Sequence, residues 1–393
     1  MSERKKIIVS AGELSGDEHA AKVISALRAL DPAIECRGMG GRNLRAAGVI
    51  TDVDSETAAS VMGFGELFGS LGRVLGALRT MQRLIRSERP DLLITVDFAE
   101  FNMHLAAAAR AAGVPVLNYI SPQVWAWRRY RVKAIARSIN QAAVIFPFER
   151  DFFSANGYPN AVYVGHPFAD EWRETPPDRA KLLGEIGLDP ARPTVVVLPG
   201  SRRAEVERHL TIMRSALDLV RRDYPTVQAV IAVAPTIDRA AVTAVSGERP
   251  WLRVTQGNAI DMMRIGDAGL LKSGTSNLQG AFCGLPFAMF YRTSPLSAFI
   301  VRRWVDLTEY SIVNVLRPGT VPELVQDDAT PEATAHTLKL LLFDEVYRAN
   351  IKAGLADVCA ALRSYDERPE FVGTKNAPER VARLAKALLD PSN

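Results

Sequence analysis

Four stretches of this 393-residue chain hold side chains able to do chemistry. In "DLLITVDFAEFNMHL", Asp97 directly follows an apolar run. A carboxylate at such a strand end is a natural general base. It can equally cap the helix that follows, and Glu100 competes for the role of base. Asn102, five residues on, can orient the base or a substrate hydroxyl. "SAGELSGDEHA" follows the first apolar run, and Gly12 and Gly16 allow a tight turn and close approach to a ligand. It matches neither of the glycine patterns of nicotinamide and P-loop sites. The competing reading is a plain turn with Asp17 near the helix start.

"LPGSRRAEVERHL" turns through Gly200 and Ser201 into a helix. The unpaired N–H groups and dipole of a helix start favour an anion, and Arg202 can clamp phosphate oxygens. Read instead as surface charges, Arg202 and Arg203 would sit unfavourably in a first helical turn. "LLKSGTSNLQGAFCGLP" places the small donors Ser273, Gly274 and Thr275 at another helix start, with Lys272 at the strand end beside them. Two such loops in one half of the chain predict a nucleotide diphosphate lying across strand tips, neutralised without a metal.

The elements that must carry these loops are short apolar runs alternating with helical patterns. In the first half the runs are "KKIIVSAG", "IECRGMG", "DLLITVD", "VPVLNYI", "AAVIFPF" and "AVYVG". In the second half they are "TVVVLPG", "VQAVIAVA", "LRVTQ", "AGLLKSG" and "FAMFY". Runs of this kind between helix-length segments read as parallel βαβ units. A Pro-rich, charged stretch after Gly165 interrupts the series. The expected architecture is α/β, with two doubly wound, Rossmann-like parallel-sheet domains facing a cleft. Residues 1–168 form the first domain and 169–365 the second, which carries the two nucleotide loops. Residues 366–393 form a C-terminal helix able to return to the first domain. Ligands in such sheets sit at the carboxyl ends of the strands.

Composition removes several classes. A net charge of +4, from 48 basic and 44 acidic residues, does not describe a dedicated nucleic-acid binder. Cys36, Cys283 and Cys359 are far apart, and no paired-histidine motif occurs, so neither a metal nor a cofactor is expected. No apolar stretch reaches the roughly 18 residues of a membrane span, and "IIVSAG" is too short for a signal sequence. A cytoplasmic protein, soluble or peripherally bound, is expected.

Two segments bear on a membrane. Over residues 61–87, Phe64, Leu67, Phe68, Leu71, Val74, Leu75 and Leu78 recur at helical spacing, with Arg73, Arg79, Arg83 and Arg86 among them. The pattern fits an interfacial amphipathic helix, or a helix packed on its own sheet. In "SPQVWAWRRYRVKAIAR", Ser121 and Gln123 can hydrogen-bond a sugar, and Trp125 and Trp127 suit a lipid headgroup level. Tryptophans in the core with arginines on a solvated face are the alternative.

Ten stretches in order, "GELSGD", "VMGFGE", "VDFAEFN", "SPQVWAWRRYRV", "FPFE", "VGHPFAD", "LPGSRRAEV", "SGTSNLQ", "YRTSPL" and "VPELVQ", together resemble the lipid-A-disaccharide synthase family, glycosyltransferases of GT-B architecture. The resemblance implies transfer of the sugar of UDP-2,3-diacylglucosamine to 2,3-diacylglucosamine 1-phosphate. The products are a β-1,6-linked disaccharide and UDP, with inversion and without a metal. It implies Asp97 as base, and Ser201, Arg202, Ser273, Gly274, Thr275, Gln279 and Asn314 on the donor side. Glu13, Ser15, Asn102, Ser121, Gln123 and Trp127 fall on the acceptor or cleft side, and Phe64, Leu67, Phe68, Leu71 and Leu75 at the membrane. An anionic membrane surface on the inner face of the inner membrane is the implied partner, and oligomeric state is left open. The sequence departs from the family pattern at Gln279, usually Glu, and Lys272, usually small. Asn277, Val313 and Ala99 also differ, standing for Thr or Ala, Pro, and Pro. A 2-epimerase-like enzyme, a divergent acyl-sugar transferase and a non-catalytic nucleotide-sugar or lipid-binding protein are the alternatives.

Overall fold

The computed structural model describes residues 4–56, 67–174, 177–294 and 309–390, and of residues 67–71 the backbone only. The chain divides into two compact units, Met1–Glu171 with Leu362–Asn393, and Trp172–Ala361. In the first unit the strands are β1 (Lys6–Ala11), β2 (Glu35–Gly40), β3 (Ile50–Asp54), β4 (Leu92–Val96), β5 (Val116–Tyr119), β6 (Gln141–Val144) and β7 (Ala161–Tyr163). They form one sheet in the order β3-β2-β1-β4-β5-β6-β7. In the second unit β8 (Thr194–Leu198), β9 (Gln228–Val233), β10 (Leu252–Gln256), β11 (Ala268–Lys272), β12 (Phe287–Tyr291) and β13 (Glu323–Val325) are ordered β10-β9-β8-β11-β12-β13. Every pairing is parallel.

The inner strands explain why. "LLITV" of β4 and "TVVVL" of β8 are buried at every position, as strands covered on both faces must be. In the first sheet Ile7, Val9, Ile94 and Val96 face a core shared with the helices Leu14–Leu30 and Ala377–Leu389. Ile8, Leu93 and Val116 face the opposite core, under the helices Leu67–Glu88 and Ala99–Ala111. The last helix starts at Asn376, whose side chain accepts from the Glu379 N–H, and Lys386 pairs with Asp31 at 2.9 Å. That helix therefore closes the first unit. The edge strands β3 and β13 have no counterpart among the apolar runs. "ITDVD" has no fully buried position, and "ELV" is only three residues long.

Packing decides between readings that the sequence left open. In the helix Leu67–Glu88, Val74 and Leu78 pack against the core beside Ala77, Met81 and Ile85, so this part of the apolar stripe serves the fold. Leu75 remains 42% exposed. Phe64 lies outside the described residues, as do the side chains of Leu67, Phe68 and Leu71. Trp125 is buried and donates from Nε1 to Glu149 Oε1 at 3.1 Å, so it is a core residue and not a headgroup anchor. Glu149 in turn accepts from the Ile145 and Phe146 N–H groups, and burial raises its pKa to about 7. Among the described residues no helix is long and apolar enough to cross a membrane.

Asp17 does not cap its own helix. It is fully buried, and its carboxylate accepts from the N–H groups of Gly41 (2.6 Å), Asn43 (2.8 Å) and Leu44 (3.3 Å), at the start of the short helix Arg42–Ala46. It thus ties the first helix to the end of β2. Asp17→Ala orphans these three donors, and an unmade buried hydrogen bond costs about 1–3 kcal/mol. Urea denaturation of this variant is expected to show a loss of at least about 2 kcal/mol. An unchanged midpoint would contradict this anchoring role.

Candidate active site

Strand order reverses between β1 and β4 in the first sheet and between β8 and β11 in the second. At such a switch point the crossovers leave in opposite directions and open a crevice at the strands' carboxyl ends. In the first unit the residues there are Gly12 and Glu13 after β1, and Asp97 after β4.

The backbone around Asp97 is unusual. Asp97 and Phe98 are both left-handed, with φ of 49° and 50°. Such conformations cost about 1 kcal/mol or more unless the surroundings enforce them. Here they are enforced. The Asp97 N–H donates to the Tyr119 carbonyl at 3.0 Å, and the Asp97 carbonyl accepts from Asn102 Nδ2 at 2.7 Å. Phe98 is turned onto Gly12, where a β-carbon would lie 2.3 Å from the ring. Gly12 is thus needed for clearance, and the "GEL" turn and Asp97 are fitted to each other.

Asn102 is 3% exposed and also bonds Ser10 and the Val96 carbonyl, so it braces Asp97 from below and does not meet an acceptor. Ser121 is likewise buried, donating to Asn118 at 2.7 Å. Glu13, Ser15, Gln123 and Trp127 are exposed. The Arg128 guanidinium stacks 4.0 Å over Trp127. Arg131 grips Glu100 with two bonds of 2.5 and 2.6 Å, and Arg128 adds a third. The Arg131 hydrogen bonds hold the Glu100 carboxyl below its ordinary pKa, which makes it a poorer base. Asp97 differs: burial raises its pKa, against a smaller lowering by the Phe98 N–H and His19. Glu13 is raised too, by burial and then by the Asp97 charge. His19 is a neighbour that no motif revealed. Its Nδ1 is buried without a partner, and burial lowers its pKa.

In the second unit a pocket of about 740 Å³ opens at the ends of β8 and β11, walled also by the ends of β9 and β10. Its lining includes Gly200, Ser201, Pro235, Asn258, Asp261, Lys272, Gly274, Thr275 and Gln279. Gly200 has φ 136°, and a β-carbon there would meet Glu205 at 2.8 Å. The following helix, Arg203–Asp223, begins with Arg202, whose side chain is 79% exposed and outside the lining. Ser273 lines the pocket, but its hydroxyl is spent on the Tyr310 carbonyl at 3.0 Å and its N–H on Phe290. Asn314 is removed from the donor side altogether. It is 2% exposed, exchanges two bonds with Val321 and donates a third to Glu323. The small donors left to a ligand are those of Ser201, Gly274 and Thr275. Asn258 and Asp261 were not found from sequence, although the strand-end rule applied to "TQGNAID" points to them. Among the described residues no cluster of metal-ligating side chains occurs.

Comparison with known proteins decides what this pair of sites belongs to. Residues 7–369 match the family model described as lipid-A-disaccharide synthetase. The chain is 39% identical over 388 residues to the lipid-A-disaccharide synthase of Geobacter sulfurreducens, covering 98% of this chain and 97% of that one.

The chain belongs to the lipid-A-disaccharide synthase family.

Its activity is therefore hexosyl transfer in lipid A biosynthesis, and its substrates are lipid A sugar precursors. Among solved structures it resembles a putative UDP-N-acetylglucosamine 2-epimerase from Listeria monocytogenes, with a TM-score of 0.63 at 13% identity, over 100% of this chain and 98% of that one. It also resembles a calicheamicin glycosyltransferase, with a TM-score of 0.57 at 14% identity, over 100% and 99%. At such identities the likeness is one of fold: the doubly wound parallel sheets expected from the apolar runs, and the GT-B class implied by the resemblance, are what is observed.

Burying an ionised Asp97 has a stability cost. Its folded-state pKa is raised, so the folded protein is favoured while the group is protonated and loses stability as pH rises through that raised value. Asn carries no charge and tolerates the left-handed backbone. Asp97→Asn is thus expected to melt higher than the parent at neutral pH, with the gap closing as pH falls toward the ordinary Asp value of 3.8. A variant that melts lower at neutral pH would contradict the burial argument.

Proposed function

We propose that the first unit binds the acceptor, 2,3-diacylglucosamine 1-phosphate, with its 6-hydroxyl at Asp97. The second unit then holds the UDP part of UDP-2,3-diacylglucosamine in the pocket at the ends of β8 and β11. The observation that carries the reading is the Asp97 carboxylate, held at the switch point in an enforced left-handed backbone with a raised pKa. Strain of this kind is retained where it positions a reacting group, and a pKa moved toward neutrality suits a general base.

In the proposed reaction Asp97 takes the proton of the acceptor hydroxyl as that oxygen attacks the anomeric carbon from the face opposite the diphosphate. The bond from the anomeric carbon to the phosphate oxygen breaks, and UDP leaves with the electron pair. The α-linked donor thus gives a β-1,6 disaccharide. Asp97 then returns its proton to solvent. Charge on the leaving diphosphate is met by the starts of the helices Arg203–Asp223 and Thr275–Phe282. Ser201, Gly274 and Thr275 add donors, and Arg202 can swing a guanidinium onto the phosphates. Gln279 on the pocket wall accepts from ribose hydroxyls through its amide oxygen, without the charge assistance a Glu would give. Glu13, Ser15 and Gln123 are exposed around the acceptor side. The acyl chains of both substrates call for a bilayer, and Leu75 and Trp127, exposed by 42% and 45%, are the proposed contacts with an anionic surface on the cytoplasmic face of the inner membrane.

Three measurements test this. Asp97→Asn is expected to retain UDP binding by calorimetry while turnover falls at least about 100-fold, the usual worth of a general base; near-normal turnover would dismiss Asp97. EDTA is expected to leave turnover unchanged, since cations and helix starts serve the diphosphate; loss restored by a divalent ion would refute this. Leu75→Ser with Trp127→Ser is expected to reduce sedimentation with anionic vesicles at an unchanged melting temperature, each exposed apolar side chain contributing about 1 kcal/mol or more when buried in lipid. Equal sedimentation of parent and variant would remove both residues from the membrane contact.

A further inference from the structure

Lys272 is the only cation among the described residues lining the nucleotide pocket, and its position is unusual. It is the last residue of β11, and its side chain is 22% exposed. Its Nζ lies 3.1 Å from Glu205 Oε1, the carboxylate that reaches back from the third residue of the helix Arg203–Asp223 to the turn at Gly200. The pair therefore joins the ends of β8 and β11 across the switch point, under the two loops whose small donors face the pocket. The backbone of Lys272 is fixed as well. Its carbonyl accepts from Ser276 Oγ at 3.0 Å and from Asn277 Nδ2 at 3.1 Å, which ties the strand end to the helix Thr275–Phe282.

The charges are arranged for exchange. Glu205 Oε2 is buried without a hydrogen-bond partner, so the carboxylate is held at one oxygen only. Burial pushes its pKa up, but the Lys272 ammonium and then Arg202 outweigh this and keep it ionised. An ammonium has three donors. Glu205 engages one, and the Tyr291 ring centroid lies 5.8 Å from the nitrogen. The remaining donors are available to an anion entering between Ser201 and Thr275. A carboxylate so close to a phosphate-binding loop otherwise repels that anion, and it is tolerable there because Lys272 compensates it.

We infer that Lys272 is the cation that neutralises the nucleotide diphosphate in this chain, and that Glu205 is an internal counter-anion that orients the ammonium and shares it with the entering phosphates. The inference rests on the nucleotide reading of the pocket. It assigns to Lys272 the fixed charge, while Arg202, outside the lining, supplies a mobile one. It also separates diphosphate recognition from base and ribose recognition, which fall to the Asn258, Asp261 and Gln279 side of the pocket.

Calorimetry on the full chain with uridine, UMP and UDP tests it. The parent is expected to gain affinity from uridine to UDP. Lys272→Ala weakens UDP about tenfold to a hundredfold, the range of a lost charge-assisted hydrogen bond, and leaves uridine unchanged. Glu205→Gln keeps an acceptor for the ammonium but removes the repulsion, and tightens UDP severalfold. The double variant stays weak for UDP, because the cation is gone. If the double variant regains parental affinity, Lys272 merely neutralises Glu205 and the inference is wrong. Unchanged UDP binding by Lys272→Ala overturns it equally. Should Lys272→Ala not fold, Glu205→Gln decides alone, since weaker UDP binding there contradicts a competing counter-anion. A parent that binds uridine but gains nothing for UDP refutes the inference while leaving a nucleoside site. A parent that binds none of the three removes the nucleotide reading itself.

Discussion

A parallel sheet that winds outward in two directions from an inner pair of strands cannot cover the carboxyl ends of that pair. The crossover helices leave to opposite faces, and the strand ends between them are left open. Both sheets of this chain obey the constraint at the same place in their order, β1 beside β4 and β8 beside β11. The groups to which we assign the chemistry stand at or just after the ends of those four strands: the Gly12–Glu13 turn, Asp97, the Gly200–Ser201 turn, and Lys272 with its loop.

The two crevices are equipped differently. In our proposal the first serves a single proton acceptor. The Asp97 N–H donating to the Tyr119 carbonyl and the Asn102 side-chain amide donating to the Asp97 carbonyl force the turn, a glycine yields to Phe98, and burial does the rest of the tuning. Glu100, only three residues away, is neutralised as a rival by Arg131 and Arg128. In our proposal the second crevice serves an anion. It offers helix starts, small donors and an ammonium held ready by an internal carboxylate. That division matches what the proposed glycosyl transfer requires: one group to accept a proton, and fixed positive potential where the leaving group gathers charge.

Much of this was legible in the sequence, and the exceptions have common causes. Strands buried on both faces, such as β4 and β8, declare themselves as continuous apolar runs, whereas the edge strand β3 carries too little buried surface to do so. Strand-end placement pointed to Asp97, Ser201 and Thr275, which stand at the ends of β4, β8 and β11, and the family resemblance added Gln279, which lines the pocket. Residue type alone could not separate donors that face a ligand from donors spent inside. Asn102, Ser121, Ser273 and Asn314 are all polar residues in the right loops, yet each satisfies a buried backbone or side-chain group of its own unit. Asp17 shows the same limit, since its partners lie 24 to 27 residues away. Trp125 and Trp127, two residues apart, point one into the core and one to solvent, and no spacing rule distinguishes them without the partner Glu149. Glu205 was hidden because its role depends on a pairing across two strand ends.

The central claim is that this chain carries out an inverting glycosyl transfer. The most direct measurement is product analysis with the full chain, UDP-2,3-diacylglucosamine and 2,3-diacylglucosamine 1-phosphate, following UDP by chromatography and the new anomeric centre by proton NMR. The account predicts one UDP released per disaccharide formed, with a β-configured 1,6 linkage. An α linkage would contradict the single-base mechanism. Donor consumed without disaccharide, whether as free sugar or as an isomerised nucleotide sugar, would contradict the transfer itself.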